Sequence, residues 1–152
     1  MQKITPFLMF NAGAEEAATL YTSTFKNSKI TSIQRGPNGV AMSVNFELEG
    51  QPFLAFNGGP KFTFAEGISL FVSCETQAEV DALWERLLTG GGKTKQCGWL
   101  EDRFGVSWQI IPTALMRLMG DKDREKAGRV MQAMLKMEKI DIAALQRAYD
   151  NT

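Results

Sequence analysis

Residues 36–50 read GPNGVAMSVNFELEG, a tight turn followed by alternating apolar and polar residues. Pro37 and Asn38 occupy the second and third positions of that turn, where each is favoured. In the segment that follows, every second residue is apolar, and this period predicts a strand with one buried face. The apolar positions are Val40, Met42, Val44, Phe46 and Leu48. Glu49 and Gly50 then predict a second turn.

The elements around this strand complete a β-α-β-β-β order. Upstream, residues 4–10 form an apolar run that predicts a strand, and residues 29–35 predict another. Between them, Glu15 and Glu16 suit the first turn of a helix, where carboxylates stabilise the helix dipole. Apolar residues at helical spacing predict that helix: Ala14, Ala17, Ala18, Tyr21 and Phe25. Downstream, residues 52–57 predict the fourth strand.

The same order restarts after a linker at residues 57–67. Residues 68–74 predict a strand, and Thr76 with Glu79 forms a capping box at the start of a helix. Gly90, Gly91 and Gly92 end that helix. The remaining strands are predicted at residues 94–97, 98–100 and 106–111, with a turn at residues 102–105. Two halves with one element order indicate a duplicated unit.

Residues 112–152 have no counterpart in the first half and predict a helical tail. Pro112 suits a first helical turn, Gly120 ends the helix at residues 113–119, and Asp121 and Asp141 can cap the two later helices. We expect a single α+β domain over residues 1–152. Module one would span 4–57, module two 68–111 and the helical tail 112–152, with both modules forming curled mixed sheets.

Composition narrows the function classes. The 152 residues include 17 Lys plus Arg, 17 Asp plus Glu and no histidine. A net charge of zero gives no reason to expect nucleic acid or an anionic membrane as partner. No apolar run approaches the length of a membrane span, and the first residues lack a signal-peptide core. Cys74 and Cys97 are typical of reduced thiols, so we expect a cytoplasmic protein.

Several segments in both halves carry a family resemblance. They are Pro6–Asn11, Glu15–Ala17, Leu20 with Tyr21, Phe25, Ala55–Pro60, Cys97–Leu100 and Asp102–Gln109. With the doubled element order, they resemble the PhnB-like group of the glyoxalase, bleomycin-resistance and dioxygenase (vicinal oxygen chelate) superfamily, and we expect this resemblance to extend through the tail. Some members of the group carry a 3-demethylubiquinone-9 3-methyltransferase label.

The resemblance implies that metal ligands, His or Glu in the superfamily, would lie on the first and last strands of each half. By register, those positions hold Pro6, Ser69, Gln109 and either Ala55 or Asn57. None of these is a good ligand for a divalent ion. We therefore expect no metal and no cofactor.

The strand faces that carry these positions predict a small-molecule pocket. A mostly apolar concavity with a few amides and hydroxyls is typical of ligand sites. The predicted lining residues are Phe7, Met9, Asn57, Ser69, Phe71, Ser107 and Gln109. The alternative is that Phe7, Phe71 and Met9 fill the cavity as core.

Catalytic candidates are few. Cys97 lies close in sequence to Lys93 and Lys95, which could favour a thiolate, although no histidine can serve as its base. Glu101 and Asp102 form a carboxylate pair at a turn. The methionines of the tail are expected to pack on helical faces.

Two functions remain open. The first is a small-molecule-binding protein without the superfamily's metal ligands. The alternative is an enzyme, either a methyltransferase or a metal-assisted lyase or isomerase, although no strand-loop-helix glycine motif for S-adenosylmethionine is present. We also expect a homodimer. The superfamily closes its curled sheets by pairing modules, and the tail adds apolar residues that would need a partner: Val130, Met131, Met134, Leu135, Ile140, Ile142 and Leu145.

Overall fold

The computed structural model describes residues 2–152, and the chain divides into two compact units, Met1–Phe64 and Ala65–Thr152. Each unit carries one four-stranded mixed sheet. The single-domain organisation expected from the sequence stays a prediction.

The first unit is a β-α-β-β-β module. Its elements are β1 (Phe7–Phe10), α1 (Ala14–Thr24), β2 (Lys29–Arg35), β3 (Ala41–Leu48) and β4 (Gln51–Asn57). The sheet order is β1-β4-β3-β2, with β1 parallel to β4 and the other pairs antiparallel. Helix α1 lies on β3, where the rings of Tyr21 and Phe46 are 6.1 Å apart.

The second unit repeats this module and adds three helices. Its elements are β5 (Leu70–Cys74), α2 (Gln77–Leu88), β6 (Lys93–Thr94), β7 (Trp99–Glu101), β8 (Ser107–Pro112), α3 (Thr113–Met119), α4 (Arg124–Met134) and α5 (Ile142–Asp150). The sheet order β5-β8-β7-β6, with β5 parallel to β8, is the order of the first sheet. The predicted α+β class, the duplicated module and the helical tail are therefore confirmed.

Helix α2 begins at the predicted cap. The Thr76 side chain accepts a hydrogen bond from the Glu79 N–H at 3.1 Å, and the Glu79 carboxylate accepts one from the Glu75 N–H at 3.3 Å. The buried face of α2 packs on the sheet face that holds Leu100, Trp108 and Ile110. The opposite face of that sheet is consequently free of α2.

The predicted alternation on β3 fails at its first residues. Val40 is 58% exposed and Met42 is 48% exposed, whereas Ala41 is buried. The pairing of β2 with β3 shifts register between Gln34 and Arg35. The extra residue on β3 interrupts the alternation between Ala41 and Ser43, so the predicted inward positions of Val40 and Met42 are wrong.

The strand predicted at residues 98–100 forms as β7 at Trp99–Glu101, but of the strand predicted at residues 94–97 only Thr94 lies in a strand, β6. Cys97 has φ 62° and Gly98 has φ 84°, both in the left-handed region, so these residues form the turn between β6 and β7. Two other strands begin later than predicted, β1 by three residues and β5 by two. Ile4 precedes the start of β1 at Phe7, and Ile68 precedes the start of β5 at Leu70; both are exposed.

The tail folds onto its own unit more completely than the sequence predicts. Val130, Ile140 and Leu145 are fully buried in one cluster with Ile111 of β8. The expectation that these three residues need a partner chain is therefore wrong, because the unit's own core covers them. Asp123, not Asp121, caps α4; its carboxylate accepts from two N–H groups at 3.1 and 3.2 Å.

Two polar attachments hold the tail in place. The Gln77 side chain donates to the Ile140 carbonyl at 2.9 Å and accepts from the Ile142 N–H at 2.8 Å. The turn between β6 and β7 donates from the Cys97 N–H to the Met137 carbonyl at 2.8 Å. The backbone before α5 is thereby paired with both α2 and the sheet. Asp141 caps α5 as predicted, accepting from an N–H of its first turn at 3.1 Å.

Candidate functional site

A row of three side chains crosses the face of the second sheet opposite α2. Phe71 of β5, Gln109 of β8 and Trp99 of β7 are cross-strand partners, so their side chains share this face. Phe71 is 50% exposed, and Trp99 and Gln109 are half-buried. Two aromatic rings flanking an amide form a surface on which a flat, mostly apolar molecule can rest.

The amide in this row is held by a neighbouring hydroxyl. Gln109 Nε2 donates to Ser69 Oγ at 2.9 Å. This bond orients the side-chain amide. The side-chain carbonyl oxygen of Gln109, Oε1, makes no hydrogen bond with another side chain among residues 2–152. The predicted residues Ser69, Phe71 and Gln109 are thus brought together on one face. Ser107 lies on the same face but is only 3% exposed, so its hydroxyl is covered.

A charged cluster lies on one side of this face. The Lys95 ammonium is 2.6 Å from Glu66 Oε2 and 3.7 Å from Glu101 Oε1. The hydrogen bond to Glu66 raises the pKa of Lys95, and the same bond lowers the pKa of Glu66. Glu101, predicted as a catalytic candidate, is therefore one of two carboxylates that share a permanently charged lysine.

The geometry offers little support for a cysteine nucleophile. Cys97 is half-buried in the turn between β6 and β7, and the nearby Lys95 is engaged by two carboxylates. Cys74 is fully buried; burial, followed by the charges of Glu79 and Glu75, raises its pKa to about 12. Cys74 is consequently a neutral, inert thiol at physiological pH.

Asp102, predicted to form a carboxylate pair with Glu101 at a turn, is a structural carboxylate. It is 2% exposed. One oxygen accepts from the N–H groups of Phe104 and Val106, at 2.9 and 3.0 Å, and the other accepts from Trp108 Nε1 at 2.9 Å. The side chain therefore builds the turn before β8 and is not available to a ligand.

The first sheet has an open face of its own. Phe7 and Met9 of β1 lie opposite Leu54 and Phe56 of β4 in the parallel pair. Leu54 and Phe56 were not predicted from the sequence, although their period-two spacing in β4 was the signal that could have identified them.

Asn57 does not belong to this open face. Its side-chain oxygen accepts from the Ala14 N–H and its amide donates to the Ala41 carbonyl, both at 2.9 Å. The residue thus supports the start of α1, and its predicted place among pocket-lining side chains stays a prediction.

The positions at which the superfamily would hold a metal carry no ligand set. Within residues 2–152, no group of three or more His, Cys, Asp or Glu side chains is placed to hold an ion. Ser69 and Gln109 instead bond to each other. The absence of a bound metal stays a prediction. Over the same residues, no helix is long and apolar enough to cross a bilayer.

In a comparison with protein families, residues 2–111 match the model described as 3-demethylubiquinone-9 3-methyltransferase. The chain belongs to this PhnB-like family. A solved structure described as a putative 3-demethylubiquinone-9 3-methyltransferase, PhnB protein, from Bacillus cereus is 38% identical. The alignment covers 73% of this chain and 99% of that one, with a TM-score of 0.69. Comparison with curated proteins gives no match.

More distant structures share the fold. A Pseudomonas aeruginosa protein, PA1353, is 21% identical, with a TM-score of 0.58; the alignment covers 74% of this chain and 98% of that one. A fosfomycin resistance protein, FosX, from Listeria monocytogenes is 13% identical, with a TM-score of 0.54; the alignment covers 72% of this chain and 92% of that one. These likenesses show that the chain shares its fold with both proteins.

The match stops where the tail begins. The family model ends at residue 111, and 73% of this chain accounts for 99% of the Bacillus protein. The expectation that the resemblance extends through the tail is therefore wrong. Residues 112–152 lie outside the match to the family model.

Proposed function

We propose that this protein binds a small, largely apolar molecule on the open face of the second sheet, without the metal chemistry of the superfamily. The observation that carries the proposal is the row of Phe71, Gln109 and Trp99, with the Gln109 amide oriented by Ser69. An exposed phenylalanine beside a fixed amide is the combination of apolar contact and directed polarity found in ligand sites.

The charges at this face favour an uncharged ligand. Lys95 is balanced by Glu66 and Glu101. An ionic ligand group would have to compete with these pairs, which costs free energy without adding a new charge partner. A flat molecule bearing one hydrogen-bond donor would donate to the side-chain carbonyl of Gln109 and cover the Phe71 ring.

The test uses tryptophan fluorescence. Trp99 is half-buried on the proposed face, whereas Trp84 and Trp108 are buried. A panel of uncharged aromatic compounds, including hydroquinones, is titrated into the purified protein, and binding is expected to change the Trp99 emission. The same titration of Trp99→Phe identifies the signal.

Two variants and one control locate the site. Phe71→Ala and Gln109→Ala are each expected to weaken binding about tenfold, from lost stacking and a lost hydrogen bond. Phe62→Ala removes a similarly exposed ring of the first unit and should leave the affinity unchanged. Failure of every compound to bind below about 1 mM would favour a face that serves packing alone.

Methyl transfer is the second candidate, because the matching family model carries that description. The backbone N–H groups of two glycines that could bind a nucleotide-like cofactor already form hydrogen bonds within the chain. The N–H groups of Gly91 and Gly92 donate to the Leu88 carbonyl, at 3.4 and 3.0 Å, and end α2. Calorimetry with S-adenosylmethionine separates the two functions: saturable heat at micromolar ligand would favour the methyltransferase.

We also propose a cytoplasmic homodimer. Apolar side chains remain exposed on the sheet of the first unit, among them Phe7 and Met42, and a two-fold contact is the commonest way to cover such surface. Two unpaired cysteines suit a reducing compartment. Light scattering is expected to give twice the mass of one chain; a single-chain mass at micromolar concentration would rule out the dimer.

A further inference from the structure

An open cleft of about 580 Å³ lies between α4 and α5, within the tail. One stripe of α4 and the end of α5 line it. The lining residues are Glu125, Gly128, Arg129, Gln132, Ala133, Lys136, Arg147, Ala148, Asn151 and Thr152. The cleft lies in the part of the chain beyond the family match and shares no residue with the proposed sheet site.

The cleft has a built shape. A Cβ added at Gly128 would meet no atom within 4 Å, so the space beside this helix position is open. Arg129 fixes the facing helix, since its Nε donates to the Ala148 carbonyl at 2.9 Å and its Nη2 to the Tyr149 carbonyl at 2.7 Å. These bonds satisfy carbonyls at the end of α5 and hold the two walls together.

The lining carries an excess of positive side chains. Arg129, Lys136 and Arg147 stand against one carboxylate, Glu125, which lies 3.8 Å from Arg129. Lys136 and Arg147 form no ion pair with any part of the chain that the structure describes. The side chains of Gln132 and Asn151 add amide donors that are likewise unengaged within residues 2–152.

We propose that this cleft binds a small multivalent oxyanion, with Lys136 and Arg147 as its direct partners. Guanidinium and ammonium groups recognise phosphate and carboxylate oxygens through charge-assisted hydrogen bonds. The volume is within the range of small-molecule sites, about 300–1,000 Å³. Phosphate esters and polycarboxylates share the required chemistry.

Calorimetry on the full chain at low ionic strength tests the proposal, with inorganic phosphate and citrate as the two probes. One of them is expected to bind saturably below about 1 mM, and the tighter probe identifies the oxyanion class. Lys136→Gln and Arg147→Gln are each expected to weaken binding about tenfold. Gly128→Leu fills the cleft without changing charge and should abolish binding.

Arg117→Gln is the matched control, because Arg117 is exposed in the last turn of α3, as Arg147 is in the last turn of α5. Its affinity should stay within about twofold of the parent. An equal loss in the Arg117 and Arg147 variants would show diffuse attraction and overturn the site. No saturable binding, or unchanged binding in a folded Gly128→Leu protein, would overturn it as well. If Gly128→Leu unfolds, the double variant Lys136→Glu with Arg147→Glu is tested instead. Unchanged affinity in this charge-reversed variant would refute the proposal.

Discussion

Replacement of Gly98 by alanine is expected to loosen the attachment of the tail. Gly98 has φ +84°, and an added Cβ would lie 2.8 Å from Ile111 Cδ1, 3.0 Å from Ile140 Cγ1 and 3.1 Å from the Ile110 carbonyl oxygen. Ile111 and Ile140 belong to the cluster that joins the tail to β8. The methyl group would therefore push the tail away from the sheet.

The magnitude has two parts. An alanine held in the left-handed region costs about 1 kcal/mol relative to glycine. Overpacking a full core costs about 1–3 kcal/mol more. The two isoleucine side chains can shift. The Ile110 carbonyl belongs to the backbone and cannot shift easily, because the N–H of the same residue donates to the Gly98 carbonyl at 2.8 Å. We expect the free energy of unfolding to fall by about 3 kcal/mol, a large share of a typical stability of about 5–15 kcal/mol.

Urea denaturation measures this loss. All three tryptophans lie in residues 65–152, so their fluorescence reports unfolding of the second unit. Gly50→Ala is the control: Gly50 has φ +85° and no atom within 4 Å of an added Cβ. The free energy of unfolding of Gly50→Ala, measured by circular dichroism, should fall by only about 1 kcal/mol. A loss for Gly98→Ala no larger than that for Gly50→Ala would refute the packing argument.

Three further outcomes are expected. Asp102→Asn should lower the free energy of unfolding by about 2–3 kcal/mol, because its amide would face the Trp108 N–H donor; urea denaturation measures it, and an unchanged midpoint would contradict the structural role. At about pH 8, iodoacetamide should modify Cys97 and spare Cys74, whose pKa is about 12; mass spectrometry of peptides decides, and rapid labelling of Cys74 in the folded protein would count against its burial. Gln77→Ala should lower the free energy of unfolding by about 1–3 kcal/mol and speed hydrogen exchange in the segment before α5. Unaltered exchange in that segment would show that the side-chain bonds of Gln77 do not hold the tail.

The sequence by itself determined the elements and their order. Residues 29–35 were predicted as a strand and form β2, and the cap at Thr76 begins α2. These features are decided within a few residues, by side-chain period, turn chemistry and caps. The repeat of one element order then indicated two similar sheets, and the observed strand orders match.

Part of the site was also predicted from the period of the side chains along the strands. The alternation of β5 and β8 placed Ser69, Phe71 and Gln109 on one face, and the structure brings them together. The hydrogen bond between Ser69 and Gln109 joins residues 40 positions apart. Its existence depends on the register of two strands that the chain brings together only on folding.

Tertiary structure alone decided which polar groups are buried and which apolar groups are covered. Asn57 supports α1 because β4 delivers it to the Ala14 N–H, 43 residues away. Asp102 is buried, with its carboxylate bonded to the indole N–H of the buried Trp108, and Ile140 is covered because the tail returns to Gly98. Each outcome rests on contacts between distant residues, whereas local patterns report only a residue's neighbours along the chain. The sequence therefore predicted the modules, and the folded chain determined which residues remain available to bind.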